Sequence, residues 1–398
     1  MPSSPSIESL SRYQTGVKFV IRPHTAPLPY GAGGYQNGDE IRDIIRGLTA
    51  DDVVDRVEFA LANPPTATYP APSSDGGGAG TRSPATLTIV SRLDHHRESF
   101  GHARVVKCRL SPSANDSATY VAKIYDGAEY PLCDLRGYDC MSKADSDYSR
   151  EAAAYEHMPP HLQGSTVPRY FGSWTFWWDE DQGKKRQVRM ILLEYIKGDC
   201  MQTVISRALA MNRATYKAMF KSPDDAPLDY RLFPSESDRL KLLAQLLEAE
   251  TRLSHAGVTH RDISARNVII SPSASRPERI ILVDFANSTV FALTEHGMAY
   301  KQESEVGNDL LPPSPISRHW ACGFLTRFRQ WVPPAWLRDK ELAQEWLCFR
   351  WWDSTDFQPL DHGFLTEEAN HPVIAHYRGE REEDMELRLS TLLREGGD

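Results

Sequence analysis

The sequence predicts an α+β protein, in which a segment rich in strands comes before a segment rich in helices. Three short runs with many β-branched residues, 86–93, 103–110 and 118–126, are separated by turn residues and are therefore interpreted as strands. Leucines recur at helical spacing over residues 238–257, which predicts a long amphipathic helix. These two periodicities, together with the order of the segments, indicate the fold class.

The first 85 residues are predicted to be an N-terminal extension of this fold. Residues 1–40 are rich in Pro, Ser and Gly and show no periodicity, so we expect them to be extended or loosely ordered. Apolar residues at helical spacing in 39–64 predict one or two amphipathic helices. Residues 63–84 have the composition of a flexible linker.

Residues 86–196 are predicted to form one domain with the order β-β-β-α-β-β. The three strands are followed by a helix over 147–158, which Pro159 and Pro160 end. Two apolar runs then flank the polar turn DEDQGKK, and this pattern predicts a β-hairpin.

Residues 197–398 are predicted to form a second, mostly helical part. The helix over 238–257 has Gly257 as its C-terminal stop, and two short strands, NVII and RIILVDF, follow it. Ten Trp and Phe side chains crowd into residues 320–357. Because aromatic residues bury large areas, we expect most of them to be core, with a surface for a protein partner as the alternative.

Composition is that of a globular protein. Of the 398 residues, 40% are apolar and 25% are charged, and a net charge of −9 argues against a nucleic-acid partner. Six scattered cysteines without a Cys-x-x-Cys pair are expected to be reduced thiols. The N-terminus lacks a signal pattern, and no apolar run approaches the roughly 20 residues that span a bilayer. We therefore expect no membrane association and an intracellular protein, cytoplasmic or nuclear.

Two motifs place acids directly after apolar runs. HRDISARN occupies 260–267, and VDFA occupies 283–286. The spacing of HRDISARN lets one tight loop place Asp262 and Asn267 in the same cleft.

The chain resembles the eukaryotic protein-kinase superfamily in these motifs and in YVAKIYD at 120–126, and the resemblance covers about residues 86–290. The RDIS part of the first motif resembles divergent kinases of fungi. The resemblance implies a bilobal protein-kinase-like fold: an antiparallel β N-lobe with one helix, residues 86–196, and a mostly helical, atypical C-lobe, residues 197–398. It also implies a phosphotransferase that moves the γ-phosphate of ATP to a hydroxyl, that of Ser or Thr in a protein or that of a small molecule.

The resemblance assigns roles to the charged residues. Lys123 would reach the α and β phosphates of ATP, and Glu151 would be its partner, with Glu156 as the alternative. Asp262 would accept the proton of the acceptor hydroxyl or orient that hydroxyl. Arg266 could supply positive charge beside the transferred phosphate.

The remaining site residues concern the metal and the adenine. Asn267 and Asp284 would bind Mg²⁺, which prefers oxygen ligands. Leu193 would guard the back of the adenine pocket, while Glu194 and Ile196 would offer backbone groups to the adenine edge.

The sequence also departs from the family. A single glycine, Gly101, stands where the phosphate-covering loop has three, and Ala286 replaces the glycine of the D-F-G motif. No A-P-E motif follows VDFA. These departures leave a pseudokinase, a nucleotide-binding or scaffold module without turnover, as the alternative function.

Overall fold

The structure is a computed structural model, and no helix among the residues it describes has both the length and the apolar character of a membrane span. The described residues are 12–31, 34–35, 55–65, 83–93, 103–112, 117–131, 139–180, 183–209, 232–272, 278–298 and 311–379. Gly101, most of the helix expected over 39–64 and most of the linker expected over 63–84 lie outside them.

The strands of the described chain are short and separated by loops and helices. They are β1 (Lys18–Pro23), β2 (Ala85–Arg92), β3 (Arg104–Ser111), β4 (Tyr120–Tyr125), β5 (Tyr170–Asp179), β6 (Lys185–Glu194), β7 (Asp199–Cys200), β8 (Val258–Thr259), β9 (Val268–Ser271), β10 (Arg279–Leu282) and β11 (Thr289–Val290). The α-helices are α1 (Arg56–Ala62), α2 (Cys140–His157), α3 (Met201–Ala208), α4 (Glu236–His255), α5 (Pro315–His319), α6 (Phe324–Arg327), α7 (Lys340–Trp351), α8 (His362–Glu367) and α9 (Pro372–Gly379).

The first six strands form a closed antiparallel barrel in the order β1-β2-β3-β4-β6-β5. β1 pairs with β2 on one side, where Lys18 lies opposite Thr88, and with β5 on the other, where Arg22 lies opposite Thr175. A sheet closed in this way leaves no unpaired strand edge.

This closure overturns the fold that the resemblance implied. The α+β class stands, but the bilobal protein-kinase-like fold, with an N-lobe built on an antiparallel sheet, is wrong because that sheet closes into a barrel. The closing strand, β1, lies in the segment that was expected to be loosely ordered. Along β1 the side chains alternate, with Phe19 and Ile21 buried and Val20 exposed. The strand therefore contributes these two alternate residues to the barrel core.

The chain divides into two compact units. Unit 1 comprises residues 1–196, 257–261 and 284–304, and unit 2 comprises residues 197–256, 262–283 and 305–398. In unit 1 the barrel core is apolar throughout. Its buried members are Tyr13, Phe19, Ile21, Leu87, Ile89, Val106, Cys108, Ala122, Ile124, Trp174, Phe176, Val188, Met190 and Leu192.

Helix α2 of unit 1 begins seven residues earlier than the sequence pattern predicts. The carboxylate of Asp139 caps its N-terminus by accepting hydrogen bonds from the backbone N–H groups of Met141 and Ser142. The helix ends at His157, directly before Met158 and the two prolines. Because most residues of α2 are buried, its sequence shows a weaker apolar stripe than that of a surface helix.

Unit 2 is built around α4 and an aromatic core. Eight of the ten Trp and Phe side chains between residues 320 and 357 are buried, Trp352 is half-buried, and Phe349 is 45% exposed. The indole N–H of Trp351 donates to Glu248 Oε1 on α4 at 3.0 Å, which attaches α7 to the long helix. Most of this cluster is therefore core.

Candidate functional site

Lys123 is part of barrel strand β4, and its side chain lies on the outer face of the barrel. Its neighbours Ala122 and Ile124 are fully buried in the barrel core, so the pleat of β4 turns the Lys123 side chain to the opposite face. That face is covered as well, and Lys123 is only 7% exposed. A buried ammonium requires partners of opposite charge.

Two carboxylates supply this charge within unit 1. The Lys123 ammonium donates a hydrogen bond to Glu151 Oε2, and it also donates to Asp284 Oδ1 at 2.5 Å. Tyr125, two residues along β4, donates its hydroxyl to Glu151 Oε2 at 2.6 Å. Glu156, the alternative partner, instead accepts a hydrogen bond from Tyr170 at 3.2 Å.

The three charged groups influence each other's ionisation. Burial lowers the pKa of Lys123, but the charges of Asp284 and Glu151 outweigh burial and leave that pKa raised, so the ammonium stays charged. Burial raises the pKa of Glu151 above its ordinary value, with Lys123 opposing and Asp284 adding to the shift. Glu151 Oε1 is buried and has no hydrogen-bond partner among the residues that the structure describes.

Asp284 reaches Lys123 through an uncommon backbone conformation. Its φ is +72°, in the left-handed region, where Asp and Asn are tolerated better than most residues. The next residue, Phe285, is fully buried, and its ring lies 5.3 Å from that of Tyr155 on α2 and 4.5 Å from that of His260. Ala286 has no positive φ, so the loop does not require a glycine there.

The residues expected at the adenine lie at the end of β6. Leu193 is buried and lies opposite Val121 of β4, two residues before Lys123, so Leu193 and Lys123 share the outer face of the barrel. Glu194 is the last residue of β6, and Ile196 is buried just beyond it.

The backbone of Glu194 is partly engaged with protein. Its N–H donates to the carbonyl oxygen of Arg169 at 2.9 Å, and its carboxylate accepts from the N–H of Arg169 at 3.2 Å. A contact from Glu194 to an adenine edge would therefore use its carbonyl oxygen.

In unit 2, a second group of expected site residues is assembled on a 3-10 turn, Ala265–Asn267. Arg266 Nη2 donates to both carboxylate oxygens of Asp262, at 2.7 and 2.8 Å. The side-chain amide of Asn267 donates to Asp262 Oδ2 at 3.2 Å and to its backbone carbonyl oxygen at 2.9 Å. Arg266 therefore binds the carboxylate of Asp262 in this structure.

Each of the two expected metal ligands, taken by itself, offers an oxygen of the kind that Mg²⁺ prefers. Within the described ranges, no cluster of three or more His, Cys, Asp or Glu side chains could hold a metal. Mg²⁺ commonly takes only one or two protein side chains and completes its shell with phosphate and water. In unit 1, the Asp284 side chain, 21% exposed, offers a carboxylate. In unit 2, the amide nitrogen of Asn267 is engaged by Asp262, which leaves its side-chain oxygen as a ligand.

Sequence reasoning missed Tyr125. It stands two residues after Lys123, so the strand period places both side chains on the same face of β4. That periodicity was a usable signal, because a tyrosine beside a buried carboxylate supplies a hydrogen bond that an aliphatic side chain cannot.

No protein-family model matches the chain, and no curated protein matches it.

Proposed function

We propose that this protein is an ATP-dependent phosphotransferase that moves the γ-phosphate of Mg·ATP to a hydroxyl group, that of Ser or Thr in a protein or, alternatively, that of a small alcohol. The observation that carries the proposal is the buried contact of one ammonium, Lys123, with two carboxylates, Glu151 and Asp284.

A purely structural purpose explains this cluster poorly. Desolvation of buried charges offsets most of their attraction, so apolar residues of similar volume would stabilise the fold equally well. Buried charged groups with shifted pKa values concentrate at functional sites.

Each of the expected site residues Lys123, Glu151 and Asp284 in unit 1 has a role in the proposed reaction. Bound Mg·ATP would supply the transferable phosphoryl group and a metal that draws charge from it. Lys123 contributes the positive charge for the phosphates, and Glu151, itself anchored by Tyr125, orients the ammonium. Asp284 contributes the carboxylate for the metal, because it is the more exposed of the two acids.

Asp262 of unit 2 is the proposed residue that orients the acceptor hydroxyl and takes its proton. Hydrogen bonds from Arg266 and Asn267 fix the orientation of its carboxylate. The side chain of Asp262 remains 23% exposed and that of Arg266 53% exposed, so a substrate can approach both.

A nucleotide-binding or scaffold module without turnover is the second candidate. The direct contacts of Lys123 with Asp284 and of Arg266 with Asp262 favour it, because both acids assigned to chemistry are already paired with cations. Turnover would require those ion pairs to open when substrate binds.

Two measurements test the proposal in sequence. A thermal-shift titration with Mg·ATP reports binding, since a ligand at 100 times its Kd stabilises a protein by about 2.7 kcal/mol. Transfer of labelled γ-phosphate is then measured on Ser- and Thr-containing peptides and on small alcohols. Absence of any Mg·ATP-dependent shift in the wild-type protein would reject the proposal, whereas binding without transfer would favour the scaffold module.

A further inference from the structure

The chain after β1 continues as an extended segment that we call the strap, residues 24–31 and 34–35. It has no helix or barrel strand of its own, yet its side chains and backbone make contacts at several points of unit 1. The N–H of His24 donates to the carbonyl oxygen of Ser173 on β5 at 3.0 Å, and the other contacts fall on α2 and on the segment that follows Asp284.

The first set of contacts is with α2. Nδ1 of His24 lies 2.7 Å from the hydroxyl of Tyr148. The hydroxyl of Tyr30 donates to the carbonyl oxygen of Ser142 at 3.1 Å, and the hydroxyl of Ser146 donates to the carbonyl oxygen of Tyr30 at 3.3 Å. The strap is therefore attached to α2 over two of its turns, and α2 carries Glu151.

The second set of contacts is with the segment after Asp284. Tyr35 is 4% exposed, and its hydroxyl accepts from the N–H of Val290 at 2.7 Å and donates to the carbonyl oxygen of Ser288 at 3.4 Å. Beside it, the N–H of Glu295 donates to the carbonyl oxygen of Gly34 at 3.0 Å. One tyrosine hydroxyl thus satisfies two backbone groups of this segment.

This hydroxyl occupies a position that a strand neighbour would otherwise fill. β11 pairs with β8 on one side, where Thr289 lies opposite Thr259, and the Tyr35 hydroxyl bonds the backbone of the flanking residues. Val290 is 1% exposed, so its N–H would have no access to water without Tyr35. A buried backbone donor without an acceptor costs about 1–3 kcal/mol, which is enough to loosen a short segment.

We infer that the strap is a positioning element of the proposed active site, and that Tyr35 is its positioning residue. By bonding both α2 and the segment after Asp284, the strap sets the two carboxylates, Glu151 and Asp284, at the distance at which one ammonium contacts both. The consequence for catalysis rests on the proposed function, but the ordering of the segment does not.

The test compares two variants that each lose one tyrosine hydroxyl from the full chain. Tyr35→Phe removes the two bonds to the segment after Asp284. Tyr377→Phe is the matched control, because its hydroxyl donates to the carbonyl oxygen of Glu345 at 3.2 Å within unit 2. Amide hydrogen exchange without nucleotide, the Kd for Mg·ATP, and the separate kcat and KM values are measured for both variants and for the wild type.

Tyr35→Phe should speed exchange over residues 288–298 about tenfold and weaken Mg·ATP binding about threefold to tenfold, the range that one lost hydrogen bond produces. Tyr377→Phe should leave both quantities at wild-type values. Tyr30→Phe, a second strap variant, should speed exchange at the start of α2, and it preserves the test if Tyr35→Phe does not fold.

The outcomes separate the inference from the proposed function. Wild-type exchange over 288–298 in Tyr35→Phe would overturn the strap as an ordering element. Faster exchange with unchanged Mg·ATP binding and unchanged kcat and KM would overturn its role at the site. If the wild type itself does not bind Mg·ATP, the proposed function fails, and the exchange experiment alone decides whether the strap orders the segment.

Discussion

Nζ of Lys123 lies 2.5 Å from Oδ1 of Asp284 and is hydrogen-bonded to Glu151 at the same time. One cation is therefore shared by two acids that the chain places 133 residues apart, on α2 and after β10. The ammonium and both carboxylates lie in a poorly solvated place, where electrostatic interactions are strong.

Lys123→Met is expected to abolish stabilisation by Mg·ATP, because the substitution removes the cation that contacts both Glu151 and Asp284. Turnover should fall by about 10²–10³, the usual effect of removing one electrostatic stabiliser. Lys143→Met, which removes a half-buried lysine on α2, is the control and should behave as the wild type, because Arg150 still pairs with Asp147. Equal Mg·ATP binding by Lys123→Met and the wild type would contradict the assigned role.

Asp284→Asn is expected to keep the fold and to lose magnesium-dependent binding. Asn tolerates the left-handed backbone conformation observed at Asp284, so the substitution removes charge without adding backbone strain. Because the charge of Asp284 raises the pKa of Glu151, that pKa should fall in the variant. Titration with Mg²⁺ at constant ATP, followed by thermal shift, should show no metal dependence, and a wild-type response would contradict the prediction.

Asp126→Asn is expected to reduce the free energy of unfolding by about 3 kcal/mol, because it removes one partner of a buried ion pair. The Asp126 carboxylate is bound by the guanidinium of Arg186 and accepts the hydroxyl of Tyr13 at 2.6 Å. Urea unfolding measures the change. Asp179→Asn is the control, since its pair with Lys185 is exposed and should contribute less than about 0.5 kcal/mol.

Ile21→Ala tests the closure of the barrel by β1. Ile21 is fully buried, and removing most of a buried isoleucine side chain typically costs about 2–5 kcal/mol. Val20→Ala on the same strand, where the side chain is 61% exposed, should cost less than about 0.5 kcal/mol. Similar small effects in both variants, measured by urea unfolding, would mean that β1 is not part of the core.

His319→Gln is expected to flatten the pH dependence of stability below about pH 6.5. Burial lowers the pKa of His319 from 6.5 to about 4, with Glu250 and the carbonyl oxygen of Leu247 opposing and Arg318 and Arg327 adding to the shift. The unfolded chain therefore binds more protons than the folded chain between these values, so the contribution is present above pH 6.5 and is lost as the pH falls towards 4.

Urea unfolding of the wild type and of His319→Gln at pH 7.5, 5.5 and 4.5 measures this contribution directly. The carboxylates titrate in both proteins, so the difference between the two profiles isolates His319. Parallel profiles across the whole range would show that this histidine does not couple protonation to folding.

Local periodicity was enough to predict five of the six barrel strands, β2 to β6. Alternation along β4 sends Ala122 and Ile124 into the core and Lys123 to the other face, and this depends only on the two-residue repeat of a strand. The sequence left Glu156 as an alternative to Glu151, and the structure pairs Lys123 with Glu151. The cap at Asp139 begins the helix earlier, with Glu151 fully buried and Glu156 exposed.

The sequence by itself determined the α+β class, the alternation of the strands and which residues carry charge next to apolar runs, because each of these depends on neighbours within a few residues. Only the tertiary structure decided that β1 closes the sheet into a barrel and that Tyr35 reaches the segment after Asp284. Those contacts join residues separated by about 70 to 255 positions. Their pairing depends on the free energy of the whole assembled core and on satisfying buried backbone groups, and no local pattern records either quantity.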